Sequence, residues 1–225
     1  QVRMDLKKTN ELVSIIIPTK NKQDYLTKCI ESIADLSTYK NYEIILIDNN
    51  SDEKGFFKAV DKWKKQTKFK FKVIRDEKPF NFARLMNVGR ANAEGNYLIL
   101  LNNDTEVITP DWIEGMMEHA QRPEVGVVGC KLLYEDDTIQ HAGVIVGIAG
   151  VASHAFIGDD RDGPGYFNYI NLLNNYSSLT AACIMMRTEV FDKAKGFSEE
   201  FVVEYNDVDF CLKVLELFRP DRLRN

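Results

Sequence analysis

Three groups of polar residues in this sequence have the types and spacing to do chemistry. The first is Asn102-Asn103-Asp104, which ends an apolar run from Tyr97 to Leu101. One carboxylate flanked by two amides suits a hard cation shared with a phosphate, because magnesium-like ions keep few protein ligands and take the rest from substrate and water. A plain turn uses the same residue types. The second group follows two earlier apolar runs: Thr19, then Asp48 with Asn50 and Ser51. Asp48 can accept from a base imide N–H, Thr19 can bind through its hydroxyl or backbone, and Asp104 can hold a cation against a diphosphate. Taken singly, each also suits a turn or a helix cap. Taken together, at three expected strand ends of one sheet, they could line one crevice. The third group is Glu204-Tyr-Asn-Asp-Val-Asp209. Asn206 with Asp209 three residues later resembles a capping box, which accounts for Asp209 and leaves Asp207 less constrained. A carboxylate entering a cleft at a helix start can act as a general base toward a hydroxyl.

Other reactive side chains point elsewhere. His119 is expected on an exposed helix face. His141 and His154 sit among small and apolar residues, where a hydrogen-bonded core histidine and a metal or phosphate contact are both open. Cys29, Cys130, Cys183 and Cys211 lack the close spacing of zinc or redox pairs and are expected as buried free thiols. Seven lysines between Lys58 and Lys72, with acidic residues nearby, read as a solvated helix face.

The elements that must position these groups follow from periodicity. Val13 to Ile17 is a β-branched strand stopped by Pro18, and residues 1–12 are expected to be a linker. Tyr25, Leu26, Cys29, Ile30 and Ile33 have helical spacing across Asp24 to Leu36. Tyr42 to Ile47 and Tyr97 to Leu101 lack polar alternation, as strands buried on both faces do. Between them lie a Lys-rich helix over about 54–67, an alternating strand from Phe69 to Ile74, and a helix running to about Ala93 with Gly95 as its stop. Pro110 and Asp111 open a short helix carrying Trp112, Met116 and Met117. Val125 to Leu133 is expected as a strand with Thr138 to Gly147 as its neighbour, and Gly158 to Gly165 as a loop. Ser178 to Met186 reads as a buried strand, Thr188 as the cap of a short helix, and Asn206 onward as a helix apolar on two sides. Strand–helix alternation in the first half predicts an α/β fold with a mostly parallel central sheet flanked by helices.

At 225 residues and 44% hydrophobic, the chain can bury the core of one such domain. Its net charge of -5 argues against a general nucleic-acid partner. No apolar run is long enough to cross a bilayer, and the polar start lacks a signal-peptide core, so a soluble cytoplasmic protein, or a soluble piece of a larger one, is expected. The first strand is followed by Pro18-Thr-Lys-Asn21, not G-x-G-x-x-G, which argues against a dinucleotide-binding dehydrogenase. A Walker loop and a G-x-S-x-G elbow are likewise absent.

Val13-Ser-Ile-Ile-Ile-Pro-Thr-Lys-Asn21, Glu43-Ile-Ile-Leu-Ile-Asp-Asn-Asn-Ser51 and Leu100-Leu-Asn-Asn-Asp104 together resemble the family 2 inverting glycosyltransferases of the GT-A fold. The resemblance continues in order through Thr180-Ala-Ala-Cys183 and Gly196-Phe-Ser-Glu199 to Asn206-Asp-Val-Asp-Phe-Cys-Leu212, closest to bacterial surface-polysaccharide and rhamnosyltransferase-like enzymes. It implies a hexosyltransferase with a UDP- or dTDP-sugar donor, a saccharide or lipid-linked saccharide acceptor, and Mn²⁺ or Mg²⁺. It assigns Pro18, Thr19 and Asp48, with Asn50 beside them, to the nucleoside. Asn102-Asn103-Asp104 becomes the D-x-D motif, with Asp104 on the metal and Asn102 near ribose or phosphate. Arg84 falls in a donor-contacting segment, and Asp207 matches the catalytic base. The implied step is a single in-line displacement.

Three departures from the family pattern stand out. Asn102 replaces the first acid of D-x-D, Asn206 replaces the Glu of the Glu-Asp pair, and the pattern's further segment, often with a metal-binding histidine, is not found after Leu217. The expected organisation is a linker at 1–12, the GT-A domain at 13–217, and a tail at 218–225 that marks a truncation or follows a gap. Missing regions would supply any peripheral association with the inner face of the cell membrane. The alternative from another class is a non-catalytic saccharide- or partner-binding module. A sugar nucleotidyltransferase would need a Gly-rich, Arg-containing loop where Pro18-Thr-Lys-Asn21 stands.

Overall fold

The computed structural model describes residues 3–7, 10–66 and 69–218; the tail past Phe218 lies outside them. In chain order the elements are β1 (Val13–Thr19), α1 (Gln23–Leu36), β2 (Tyr42–Asp48), α2 (Phe56–Gln66), β3 (Lys70–Arg75), α3 (Phe82–Ala91), β4 (Tyr97–Leu101) and α4 (Trp112–Ala120). Then come β5 (Val127–Gly129), β6 (Leu132–Leu133), β7 (Ile139–His141), β8 (Val144–Val146), β9 (Ala152–His154), β10 (Cys183–Arg187), α5 (Thr188–Lys193) and α6 (Asn206–Phe218). A 3₁₀ segment spans Tyr166–Asn171.

One six-stranded sheet runs in the order β3-β2-β1-β4-β10-β5. β1 to β4 are parallel, β10 is antiparallel to both its neighbours, and β5 therefore runs with β4. Every residue of β1, β2 and β4 is buried, which is why their sequences show no polar alternation. Ile15 and Ile17 enter a core with α1, α2 and α4, while Ile16 enters the opposite core with α3, α5 and α6. The second core centres on Phe210, whose ring stacks on Phe197 at 4.5 Å. The lysines of α2 face solvent while Phe56, Val60 and Trp63 are buried.

Several expectations need correction. β1 runs through Pro18 to Thr19, because the next strand's register carries on to the Thr19–Asp48 pair. Residues 3–7 and 10–12 lack regular structure but do not stand off as a linker: Arg3 binds Glu118 (2.8 Å) and Asp111, and Tyr39 Oη donates to the Glu11 carbonyl. Gly95 does not terminate α3, which ends at Ala91. An added Cβ there would meet the Leu12 carbonyl at 2.6 Å, so Gly95 permits a close chain approach at the base of the sheet. Val125 to Leu133 is split into β5, in the main sheet, and β6, paired with β7. Thr138 to Gly147 is split by Gly143, at φ +120° against the Tyr176 ring, so that β8 pairs with β9 instead. The strand expected from Ser178 begins only at Cys183. Thr188 is the first residue of α5, and its hydroxyl donates to the Gly95 carbonyl (2.6 Å) rather than capping the helix. α6 buries Val208, Phe210, Cys211 and Val214, but Leu212 and Leu217 are exposed, so only one broad face is covered.

Candidate active site

The predicted site residues gather at the carboxyl ends of β1, β2 and β4, with the starts of α3 and α6 beside them. The Asn49 N–H donates to the Thr19 carbonyl (2.8 Å), and Asn103 Nδ2 donates to Thr19 Oγ1 (2.9 Å). These two bonds join all three strand ends around Thr19. Pro18 is buried just before it, in register with Ile47.

Asp48 is fully buried. One carboxylate oxygen accepts the Ser51 N–H (2.9 Å) and the other pairs with Arg75 Nη1 (3.1 Å). Both oxygens are therefore engaged within the protein, so Asp48 orders the turn and aims Arg75. Asn50, at φ +61°, accepts from Arg75 Nη2 (3.4 Å) and donates to the Glu77 carbonyl. Arg84 also points inward: its Nε holds Asp76 (2.9 Å) and its Nη2 holds the Pro79 carbonyl (2.7 Å). Sequence reasoning passed over Arg75 and Asp76. Their only signal was polarity at the end of β3, beside Asp48.

Asp104 differs from all of these. It is exposed and makes no hydrogen bond or ion pair among the described residues. Its neighbour Asn102 is fixed through the backbone, its N–H donating to the Ala182 carbonyl (2.9 Å). One residue earlier, the Ala181 N–H donates to Asp207 Oδ2 (3.2 Å), while Asp207 Oδ1 accepts the Val208 N–H (2.9 Å). Consecutive residues of one short segment thus hold both the strand end bearing Asp104 and the carboxylate opening α6.

The capping box does not form. Asn206 is already helical and donates from Nδ2 to the Val203 carbonyl (2.5 Å), Tyr205 precedes it at φ +61°, and Asp209 pairs with Lys213 (2.9 Å). Asp207 is left outside any capping box, each of its oxygens accepting a single backbone N–H.

The histidines do not join this site. His141 is buried, with Nδ1 3.2 Å from Nδ1 of His154, which also lies 3.1 Å from the Gln140 carbonyl. Burial, and then the neighbouring His154, push the His141 pKa down to about 3. His119 is half-buried rather than exposed. The four thiols are free, with Cys130 only half-buried.

The donor set suits one class of ion. No three His, Cys, Asp or Glu side chains converge on a metal position among the described residues. What these strand ends offer is a single unpaired carboxylate with amides beside it, the set expected of a cation that completes its shell from diphosphate and water.

Comparisons with known proteins agree with this architecture. Residues 14–194 match the model of glycosyl transferase family 2. An uncharacterized protein of Sinorhizobium fredii is 43% identical over 90% of this chain, and the O-antigen biosynthesis protein RfbC of Myxococcus xanthus is 38% identical over 90%. The chain spans only 22% and 16% of those relatives' own lengths. Among solved structures, the mannosyltransferase PcManGT of Pyrobaculum calidifontis, in complex with GDP-Man and Mn²⁺, superposes with a TM-score of 0.70 at 15% identity, over 96% of this chain and 55% of that one. GalNAc-T7 with UDP, GalNAc and Mn²⁺ gives 0.72 at 15% identity, over 91% of this chain and 40% of the other. These likenesses establish the GT-A fold.

Proposed function

The chain belongs to glycosyl transferase family 2, and from that premise we propose that it moves a sugar, with inversion, from a UDP- or dTDP-linked donor to a saccharide acceptor in surface-polysaccharide synthesis. The name of the Myxococcus xanthus relative supports the pathway class, and the Mn²⁺ in both solved neighbours supports a divalent cation. The observation that carries the reading is the shared anchoring of Asn102 and Asp207 on the backbone of residues 181 and 182.

The nucleoside lies against Pro18 and Thr19, with Asp48 and Arg75 forming the floor and Asn50 the rim. Asn102 and Asn103 border the phosphates, and Asp104 is the residue that would hold Mn²⁺ or Mg²⁺. When bound, such an ion offsets the charge that gathers on the departing diphosphate. Arg84 acts through Asp76, keeping the turn beside Asp48 in place. Each oxygen of Asp207 already accepts one backbone N–H, which orients the carboxylate and leaves a lone pair for an acceptor hydroxyl. Asp207 takes that proton as the hydroxyl oxygen bonds to the anomeric carbon, and the bond to the diphosphate breaks on the opposite side.

Isothermal titration is expected to show UDP or dTDP binding that requires Mn²⁺ and is lost in Asp104→Ala. Asp207→Asn is expected to bind nucleotide as before while transfer falls by about two to four orders of magnitude, the usual range for a general base. Transfer that survives in Asp207→Asn would remove that residue from its role.

A further inference from the structure

Between β9 and β10 the chain carries its two most exposed aromatic side chains, Tyr166 at 73% and Phe167 at 77%. Their ring centroids are 4.6 Å apart at 78°, so together they form a two-walled apolar corner open to solvent. The exposure is not slack. Ile170, in the same segment, is buried, Asn171 Nδ2 bonds the Gly163 carbonyl (3.1 Å) and Asn168 Oδ1 (2.9 Å), and Asn174 Nδ2 bonds the Tyr169 carbonyl (2.7 Å). Phe167 and Asn168 are held at φ +50° and +65°, a conformation unfavourable for residues other than glycine. A bulky apolar side chain kept outward in such backbone is the kind of outlier that suggests a use.

The surroundings narrow the partner. No Lys or Arg occurs between Arg161 and Arg187, and Asp159, Asp160 and Asp162 lie just before the corner. That charge pattern opposes an anionic lipid surface, which recruits aromatic segments flanked by cations. Four asparagines follow instead: Asn168, Asn171, Asn174 and Asn175. The Oδ1 atoms of Asn171 and Asn174 receive no hydrogen bond among the described residues. Aromatic faces beside amide acceptors match a pyranose ring, which shows an apolar C–H face and a rim of hydroxyl donors. The segment is also tied to the candidate active site. Tyr176 packs under Gly143, the Val144 N–H donates to the Ser178 carbonyl (3.0 Å), and Ala181, three residues on, holds Asp207.

We infer that Tyr166 and Phe167 form a stacking platform for a sugar ring of a saccharide acceptor chain; the inference rests on the transfer reading above. Affinity electrophoresis through gels carrying a panel of delipidated bacterial O-polysaccharides tests it, because stacking on a ring tolerates many pyranoses. The chain is expected to be retarded by at least one of them. In the Tyr166→Ala/Phe167→Ala double variant that retention weakens about ten-fold, the scale of one aromatic stacking contact, with Tm and Mn²⁺-dependent UDP or dTDP binding unchanged. Phe167→Gly relieves the positive φ, so its Tm should not fall while retention does; a merely structural role predicts no loss of retention. No retardation by any polysaccharide overturns the platform, as does retardation equal in parent and variants. Binding to phosphatidylethanolamine–phosphatidylglycerol vesicles that falls with the two rings overturns it in favour of a membrane contact. Ring-dependent retention without nucleotide binding by any of the proteins would keep the rings as a saccharide platform but end the transfer reading and, with it, the acceptor role. Nucleotide binding without ring-dependent retention would do the reverse.

Discussion

At the scale of single residues, the site divides into side chains that hold one another and side chains left free to act. Asp48, Asn50, Arg75, Asp76 and Arg84 bond among themselves and to nearby carbonyls, whereas Asp104 and one face of Asp207 remain available. Residue type and position single out Asp104 and Asp207 in the sequence, although Asp104 also suits the turn in which it lies. Among the holding residues, Asp48, Asn50 and Arg84 are named from the sequence, whereas Arg75 and Asp76 are not. Arg75 ends a strand of alternating type, and nothing local shows that parallel pairing places it opposite Asp48. Its importance is testable through stability. In Arg75→Met the fully buried Asp48 oxygen loses its charged partner, and leaving such a group unsatisfied costs about 1–3 kcal/mol. Urea unfolding should show a lower midpoint at an unchanged slope, the shift multiplied by the slope giving that loss. A midpoint equal to the parent's would mean that Asp48 is held by Ser51 alone.

At the scale of elements, what could be read and what could not follow from the range of the forces involved. β1, β2 and β4 were predictable because burial on both faces leaves a continuous apolar run. The region from β5 to β9 was not, since its strands have two or three residues and their pairing is set by contacts remote in sequence. Gly143 is the clearest case. It reads as one small residue within an alternating stretch, yet it turns the chain from one hairpin into the next while a tyrosine ring 33 residues away covers it. The capping box at Asn206 failed for a related reason: Tyr205 takes the left-handed turn, and the Asn206 amide is drawn back to Val203. Gly143→Ala meets both the φ of +120° and the Tyr176 ring, with its Cβ 2.3 Å from ring atoms. Overpacking of this kind costs about 1–3 kcal/mol, to which the backbone strain adds. Thermal unfolding should show the loss, and Tyr176→Ala in the same chain should recover the steric part but not the backbone part. Full recovery would place the whole cost in the ring contact.

At the scale of the whole molecule, three layers put the candidate chemistry at the carboxyl ends of the central parallel strands, while two small hairpin sheets, β6-β7 and β8-β9, occupy the chain between β5 and β10. No helix among the described residues is long and apolar enough to cross a membrane. The His141–His154 contact joins the ends of β7 and β9, and the burial of His141 makes the fold sensitive to acid in a defined window. Because burial holds His141 down to about 3, the native protein keeps it neutral while the unfolded chain takes up a proton below its ordinary value of 6.5. Its folded-state pKa lies below the unfolded one, so stability is full above pH 6.5. It is then lost as pH falls, at about 1.4 kcal/mol per unit, until His141 is itself protonated near pH 3. Glu94, held down to about 2 by Lys70 and Lys72, is lost only in a lower window, and His119, pushed down by burial and Arg122, contributes alike in parent and variant. Urea unfolding of the parent and His141→Phe at pH 7.5 and pH 5.0 therefore isolates the effect. The parent should lose about 2 kcal/mol more than the variant between those two pH values. Equal losses would show that His141 is solvated or partnered when folded, and that the hairpins open around it more readily than their packing implies.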